Sequence, residues 1–450
     1  MRSSARSSST TPRPRSTSHP SGEAPGRDLG ACVAIGALVL VVLGSSLLVD
    51  PSAEASFDRP KRLVSLIGVA LAFVAVAGAP RARSAAYPGV RTAHARWILG
   101  LLAAAAVGVM LATLASPRRG VSIDALRAML VFALVLPLGA SRVLDAGRGR
   151  LLLAAFLGAS GVNALVSILQ AARLFQPFAL ESVAGRTDTG AFIGNEGQLA
   201  LLLAFAGIAA LWITFASASP RARASAAVGA LFLLWAVVVN RNLTALIVVF
   251  VGTGVLLVAL LPRRVVLASL GVVLVAAAGL ATLSPLRQRV DEMRRQVHAA
   301  EWDDLTSNRL GPWAAALEMA RERPLTGWGP GTFEAEFVTH RLRAELRYRT
   351  RFVIPRITSS YAEAHSEYLQ GLAEFGIPAT AAAVAAVMGL IVGLCGLIRA
   401  PGGDGRLEAL LLVALLGAGA AAALTWFPLE RPSSAIPLLL AAGRAWRLLA

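Results

Sequence analysis

The sequence predicts an all-α, polytopic membrane protein with about twelve transmembrane helices and one long helical loop outside the bilayer. Two observations lead to this prediction. Hydrophobic residues make up 56% of the 450 residues, and the mean hydropathy of +0.64 is too high for a soluble chain of this length. The apolar residues also form runs of about 20, which is the length of helix that crosses a bilayer.

Twelve apolar segments are candidate spans. They lie at 29–49, 63–79, 97–115, 125–141, 151–171, 191–216, 225–239, 242–261, 265–283, 378–398, 407–425 and 434–449. The chain therefore divides into a tail at 1–28, spans one to nine at 29–283, a long loop at 284–377 and spans ten to twelve at 378–450. The tail is rich in Ser, Pro, Thr and Arg, so we expect a disordered, basic, cytoplasmic segment.

The distribution of arginine predicts the orientation of the spans. Arginine supplies almost all of the positive charge behind the net charge of +17. With the amino terminus in the cytoplasm, the cytoplasmic loops carry more arginines than the opposite loops, as the positive-inside rule requires. We therefore expect both termini in the cytoplasm and the loop 284–377 on the outer face. No folded basic domain is predicted that would favour a nucleic-acid partner.

The end of the long loop carries a histidine just before an apolar run. Residues 364–378 read AHSEYLQGLAEFGIP. Ser360 and Glu363 have the spacing of a capping box, which predicts a helix that begins near Tyr361 and carries His365 in its second turn. Glycine and proline at the end of this stretch should break the helix ahead of the tenth span. His365 is therefore expected at the membrane surface.

An arginine opens another predicted helix in the same loop. Asp303–Asn308 supplies capping residues for a helix that contains Arg309 and Trp313. Pro324 should end this helix, and the Gly-rich stretch Gly327–Phe333 should form a turn. Because glycine lets the backbone approach a ligand closely, this turn is either a binding element or a plain connector.

Two further polar stretches lie between spans on the same face. Asn240-Arg241-Asn242 predicts a tight turn between the seventh and eighth spans. Residues 185–200 read GRTDTGAFIGNEGQLA and include Arg186 and Asn195. The second stretch also has the character of a helix start with polar caps.

These stretches together resemble the O-antigen ligase and polymerase superfamily of bacterial inner-membrane glycan transferases. The form His-Ser-x-x-Leu-x-x-x-x-Glu-x-Gly-x-Pro resembles the histidine signature of that family. The run from Arg309 through Trp313 to the Pro-Leu-x-Gly-Trp-Gly sequence ending at Gly329 resembles the motif that precedes it. Arg241 matches a family arginine by its place in the order of spans, although asparagines replace the usual neighbouring serines.

The resemblance implies roles for individual residues. It makes His365 the catalytic base, with Arg309 and Arg241 holding a pyrophosphate. Substrate-binding residues implied in the same way are Arg186, Asn195, Trp328 and Glu374. The segment around Asn195 departs from the family pattern, because Glu196 and Gly197 stand where proline and a second asparagine are usual.

Each of these positions also has a purely structural interpretation. Arg309 could pair with the neighbouring aspartates, and Arg241 could anchor a span end at the interface. The basic stretch from His340 to Arg356 is either a solvated or membrane-surface face, or a platform for lipid phosphates or an anionic glycan. Nothing in its spacing decides between these interpretations.

The family implies a transferase that moves a glycan from undecaprenyl pyrophosphate to a hydroxyl acceptor, such as lipid A-core, on the periplasmic face of the inner membrane. Two arginines can stabilise the leaving group and a histidine can deprotonate the acceptor, so no cofactor or metal is expected. The partners are then membrane lipids, the lipid-linked donor and a lipid or glycan acceptor of lipopolysaccharide biosynthesis. Polymerisation of O-antigen or exopolysaccharide is the alternative within the family, and non-enzymatic polysaccharide transport is the alternative outside it.

Overall fold

The computed structural model describes residues 29–53, 55–78, 92–177, 189–267, 284–299, 301–352, 361–400 and 405–450. Across these ranges every regular element is a helix, and no strand is present. The all-α prediction is therefore confirmed. The tail at 1–28 and most of the ninth predicted span, 265–283, lie outside the described residues.

The helices follow the predicted order. Before the long loop they are α1 (Leu29–Leu47), α2 (Arg59–Gly78), α3 (Ala93–Ala115), α4 (Arg119–Ala133), α5 (Val135–Ala140), α6 (Ala146–Ala171), α7 (Glu196–Ala216), α8 (Pro220–Asn240) and α9 (Leu243–Leu260). The loop contains α10 (Ser284–His298), α11 (Trp302–Leu305), α12 (Leu310–Glu322) and α13 (Phe333–Tyr348). The chain then continues through α14 (Glu367–Arg399), α15 (Arg406–Ala422) and α16 (Pro432–Leu449).

Nine helical segments in the described part of the chain are long and apolar enough to cross a membrane. They are α1, α2, α3, the joined α4 and α5, α6, α7, α8, α9 and α14. The predicted spans 407–425 and 434–449 are helical as α15, with 17 residues, and α16, with 18, at the short end of the range that spans a bilayer. The structure is thus that of a polytopic membrane protein.

The helix α7 is the most enclosed of these spans, because 67% of its most apolar 18-residue stretch is buried. Every residue from Leu199 to Ala210 is buried, as expected for a helix that is apolar on all sides. It contacts α8, α9 and α15. Its first residues therefore lie among the ends of several other helices, where polar groups of the site collect.

The long loop folds onto one end of the bundle. The helices α12 and α13 pack on each other and on the start of α14 around an apolar cluster that includes Met319, Phe333 and Phe337. Arg118 pairs with Glu336 at 2.5 Å across the junction between bundle and loop. These contacts place the loop helices against the ends of α3 and α4.

The predicted helix start near Tyr361 is wrong. The helix α14 begins at Glu367, and the Ser366 side chain caps it by accepting the backbone N–H of Leu369 at 3.4 Å. His365 therefore precedes the helix, in a left-handed conformation with φ 54°. Glu363 pairs with Arg431 at 2.7 Å, so a distant ion pair takes the carboxylate that the capping box would use. Ser360 lies outside the described residues.

Two other local predictions have different outcomes. Gly376 interrupts α14 with φ 78° and ψ 173°, as the break before the tenth span required. The helix α12 ends at Glu322, just before Pro324, but its start has no side-chain cap. Ser307 and Asn308 adopt left-handed conformations with φ 56° and 60°, so this stretch turns the chain between α11 and α12 and does not cap α12.

Candidate functional site

The imidazole of His365 lies among three aromatic rings. The ring centroids of Tyr361 and Trp426 are both 5.7 Å from that of His365, and the centroid of Phe427 is 5.4 Å away. Trp426 and Phe427 stack on each other at 4.8 Å. We call Tyr361, Trp426 and Phe427 the aromatic cluster. Its packing restricts the orientation of the imidazole.

The segment that joins α15 and α16 holds the backbone beside His365. The backbone N–H of Glu367 donates to the carbonyls of Ala423 at 3.0 Å and Trp426 at 3.2 Å. The Glu367 carboxylate accepts the backbone N–H of Leu429 at 2.6 Å. Because the start of α14 is bonded to this segment, His365 and Trp426 are held in a fixed position relative to each other.

Arg309 reaches the same cluster from the long loop. Its guanidinium carbon lies 5.5 Å from the centre of the Trp426 ring, within cation–π range. The hydroxyl of Tyr361 donates to the carbonyl of Asn308 at 3.2 Å, which ties the aromatic cluster to the residue before Arg309. The structure therefore brings Arg309 and His365 to one tryptophan.

Arg241 occupies the predicted turn between α8 and α9. It is exposed and left-handed, with φ 54°. Asn242 caps α9 by accepting the backbone N–H of Ala245 at 3.0 Å. In the first turn of α9, the Thr244 hydroxyl lies 3.0 Å from that of Thr425, the residue before Trp426. The start of α9, which follows Arg241, is thus bonded to the segment that carries Trp426 and Phe427.

Asn195 begins α7 close to the same place. Its side chain caps the helix by accepting the backbone N–H of Gln198 at 3.1 Å. A Cβ atom on Gly197 would lie 2.4 Å from the Trp426 ring and 3.2 Å from the Asn242 side chain. The absence of a side chain at Gly197 therefore allows the start of α7, the Arg241 turn and the aromatic cluster to meet.

Three capped helix starts, those of α7, α9 and α14, come together at this cluster. Each helix start carries a partial positive charge from the aligned peptide dipoles. Together with the guanidinium groups of Arg241 and Arg309, they make this end of the bundle electrostatically suited to an anion.

Trp328 lies in the core of the loop helices. Its indole N–H donates to the carbonyl of Met319 at 3.1 Å, and its ring meets that of His340 edge-on at 4.7 Å. The guanidinium carbon of Arg323 lies 4.6 Å from the centre of the ring. Trp328 is 8% exposed, so its contacts shape the loop. The predicted substrate-binding role of Trp328 stays a prediction.

Glu374 is buried and bonded to the loop backbone. Its carboxylate accepts the backbone N–H of Gly331 at 3.0 Å and of Phe333 at 3.1 Å, at the start of α13. The backbone carbonyl of Glu374 also accepts the N–H of Gly329 at 2.8 Å. Glu374 therefore joins the Gly-rich turn to α14, and its predicted substrate-binding role is likewise untested. Arg186 lies outside the described residues.

A polar face of α6 was not predicted, and it holds the segment that leads into α7. The Asn163 carboxamide oxygen accepts the N–H of Phe192 at 3.1 Å, and its amino group donates to the carbonyl of Ser46 at 2.9 Å. Ser167 donates to the carbonyl of Thr189 at 2.9 Å. The signal was present in the sequence, because these two polar residues occur four positions apart inside an apolar span.

Two arginines of the basic stretch after His340 pair with acids of the helix α12. Arg347 pairs with Glu318 at 2.9 Å, and Arg343 pairs with Glu322. These ion pairs join α13 to α12. They favour the structural interpretation of these two arginines over a free cationic platform.

A family model described as O-antigen ligase matches residues 228–384. The matched region contains Arg241, Arg309, Trp328, His365 and Glu374. A search of curated proteins finds no significant match to the chain. The family match agrees with the resemblance of the motifs, and over residues 228–384 it supports a relation to the O-antigen ligase superfamily.

Proposed function

We propose that the protein transfers a glycan from undecaprenyl pyrophosphate to a hydroxyl acceptor, such as lipid A-core, at the periplasmic face of the inner membrane. The observation that supports this proposal is the meeting of His365 and Arg309 at Trp426, beside the start of α9, where Thr244 bonds Thr425 and which Arg241 precedes. These are the residue types that the transfer needs, and they meet at one end of a membrane bundle. The family match supports glycan transfer in general terms.

In the proposed reaction, His365 takes the proton of the acceptor hydroxyl as general base. The hydroxyl oxygen then attacks the anomeric carbon of the donor, and the new glycosidic bond replaces the bond to the pyrophosphate oxygen. Undecaprenyl pyrophosphate leaves with that electron pair. Arg309 and Arg241 stabilise the negative charge that develops on this leaving group, because one guanidinium group can bind two phosphate oxygens at once. The proposed reaction uses neither a metal nor a cofactor.

The predicted binding residues enter the proposal in two ways. Asn195 and Arg186 belong to the stretch before α7, and we propose that this stretch contacts the donor. Trp328 and Glu374 are buried. We propose that they support binding indirectly, by fixing the position of Arg309 relative to the start of α14.

Transfer by purified protein tests the proposal. Full-length protein in detergent should move a radiolabelled glycan from the prenyl carrier to core lipid, and His365→Ala should lower the rate about 10²–10⁴-fold. The matched control is His298→Ala, since His298 is exposed at the end of α10. A His365→Ala variant with normal transfer would remove the base assignment.

The acceptor is identified in a deletion strain. Loss of polymer from lipopolysaccharide, with long chains accumulating on the prenyl carrier, is the result expected for a ligase. Core that carries a single repeat would indicate a polymerase instead. An unchanged pattern would point to another glycan or to transport.

A further inference from the structure

Arg431 connects three parts of the chain that meet beside His365. Its Nη1 donates to the carboxylate of Asp58, and its Nη2 donates to the carboxylate of Glu363 at 2.7 Å. The guanidinium carbon lies 5.7 Å from the centre of the Phe427 ring. Asp58 precedes α2, Glu363 precedes α14, and Phe427 lies between α15 and α16. One side chain therefore joins segments that are far apart in the sequence.

Two partners of Arg431 lie next to His365, one along the chain and one in space. Glu363 stands two positions before His365 in the chain, and the Phe427 ring packs against the imidazole. His365 has a left-handed backbone, which a residue with a side chain adopts only when its surroundings impose it. The ion pair to Glu363 restrains this backbone, and the contact with Phe427 restrains the ring that the imidazole touches.

The ion pair between Arg431 and Glu363 is partly withdrawn from solvent. The two side chains are 18% and 17% exposed. Loss of one partner from such a pair leaves the other charge poorly solvated, which is more costly than breaking a surface pair. Arginine also suits this place better than lysine, because its planar group can bind two carboxylates and pack on a ring.

The charge state of the Glu363 carboxyl depends on Arg431. Burial raises the pKa of Glu363 above its ordinary value, and the nearby carboxylates of Glu430 and Asp58 add to this rise. Arg431 and, more weakly, Arg62 act in the opposite direction. Arg431 is thus the principal group that favours the charged form of Glu363.

We infer that Arg431 is a positioning residue, which holds His365 in place through Glu363 and Phe427. The consequence for catalysis rests on the proposed function, but the position of His365 can be measured without any transfer. The inference therefore needs one test that is independent of activity and one that depends on it.

The first test measures the chemical accessibility of His365 in full-length protein in detergent. Diethyl pyrocarbonate modifies histidine, and mass spectrometry gives the rate for His365 relative to exposed His298. We expect Arg431→Gln to raise this ratio and Arg343→Gln to leave it unchanged, since Arg343 pairs with Glu322 inside the loop. An unchanged ratio in Arg431→Gln overturns the inference. If that variant does not fold, Glu363→Gln removes the same charge pair with little change of shape.

The second test separates positioning from folding by single-turnover transfer. The amplitude counts competent sites, and the rate constant reports the chemical step. We expect Arg431→Gln to keep the amplitude and to lower the rate constant by about 10- to 100-fold, as a misplaced reacting group does. A lower amplitude with an unchanged rate constant would mean a structural role alone and would overturn the inference. If the wild-type protein transfers no glycan, the proposed function fails, while the modification test still decides whether Arg431 positions His365.

Discussion

At the scale of single residues, Trp426 is where the predicted catalytic residues meet. His365, Arg309 and Gly197 all contact its indole ring, although they come from distant parts of the chain. The motifs identified His365 and Arg309 because each has a recognisable local pattern. Trp426 belongs to a Trp-Phe-Pro sequence ahead of the last span, but its place at the site follows from the packing of α7, α12 and α14 on the segment between α15 and α16.

The mistaken helix start near Tyr361 has a similar cause. A capping box is a local pattern, and Glu363 has the correct spacing for it. Its carboxylate instead binds Arg431, which lies 68 positions later. The sequence could not show this partner, because an ion pair between distant segments leaves no periodic signal.

The Glu363 carboxyl should make stability depend on pH in a defined direction. Its pKa in the folded protein is raised above the ordinary 4.5. Between these two values the folded state binds a proton that the unfolded state lacks, so this group adds stability as the pH falls through that range.

Melting temperatures measured from neutral pH down to pH 4.5 check this prediction. Glu363→Gln should flatten the rise on acidification, because an amide does not titrate. Asp124→Asn is the control, since Asp124 is 75% exposed in its pair with Arg127. A wild-type slope retained in Glu363→Gln would contradict the assignment to this carboxyl.

At the scale of elements, α6 uses a polar face to hold the segment that leads into α7. Asn163→Leu removes the acceptor for the N–H of Phe192 and the donor to Ser46. We expect a loss of about 1–3 kcal/mol, because a buried backbone group is left without its partner. Thermal unfolding in detergent measures the loss. Val162→Ala, at an exposed neighbouring position, should have a much smaller effect, and equal effects would argue against the hydrogen bonds as the cause.

The break in α14 should depend on glycine. Gly376 has φ 78°, and a Cβ atom there would lie 2.6 Å from the backbone of Leu325. Gly376→Ala should therefore cost about 1–3 kcal/mol through backbone strain alone, with the clash adding to it. Gly396→Ala is the matched control in the same helix, because a Cβ at Gly396 meets no atom within 4 Å. Equal unfolding temperatures for the two variants would refute the prediction.

Most elements were predictable because their cause is local. An apolar run of about 20 residues forms a helix in a bilayer whatever its neighbours are. The junctions were less predictable. Glu374 shares a helix face with other polar residues in the sequence, but its carboxylate bonds the start of α13. That bond follows from how the loop folds back on α14.

At the scale of the whole molecule, the orientation in the membrane remains a prediction from the arginines. We expect the loop helices outside the cytoplasm and the turn between α7 and α8 inside it. In a background with Cys32→Ala and Cys395→Ala, an impermeant maleimide should label Thr350→Cys in intact cells, and Arg221→Cys only after lysis. Both target positions are exposed. The opposite pattern would invert the topology and place the site on the cytoplasmic face.

Lys61 gives the molecule a chemical property that follows from its surroundings. It is the only lysine of the chain, it is 3% exposed, and its ammonium group donates to the carbonyls of Phe57 and Phe192 at 2.7 Å. Acylating reagents and lysine-directed crosslinkers therefore find this ε-amine shielded while the junction between α2 and the start of α7 is closed. The rate of acylation at Lys61 would therefore report how often that junction opens.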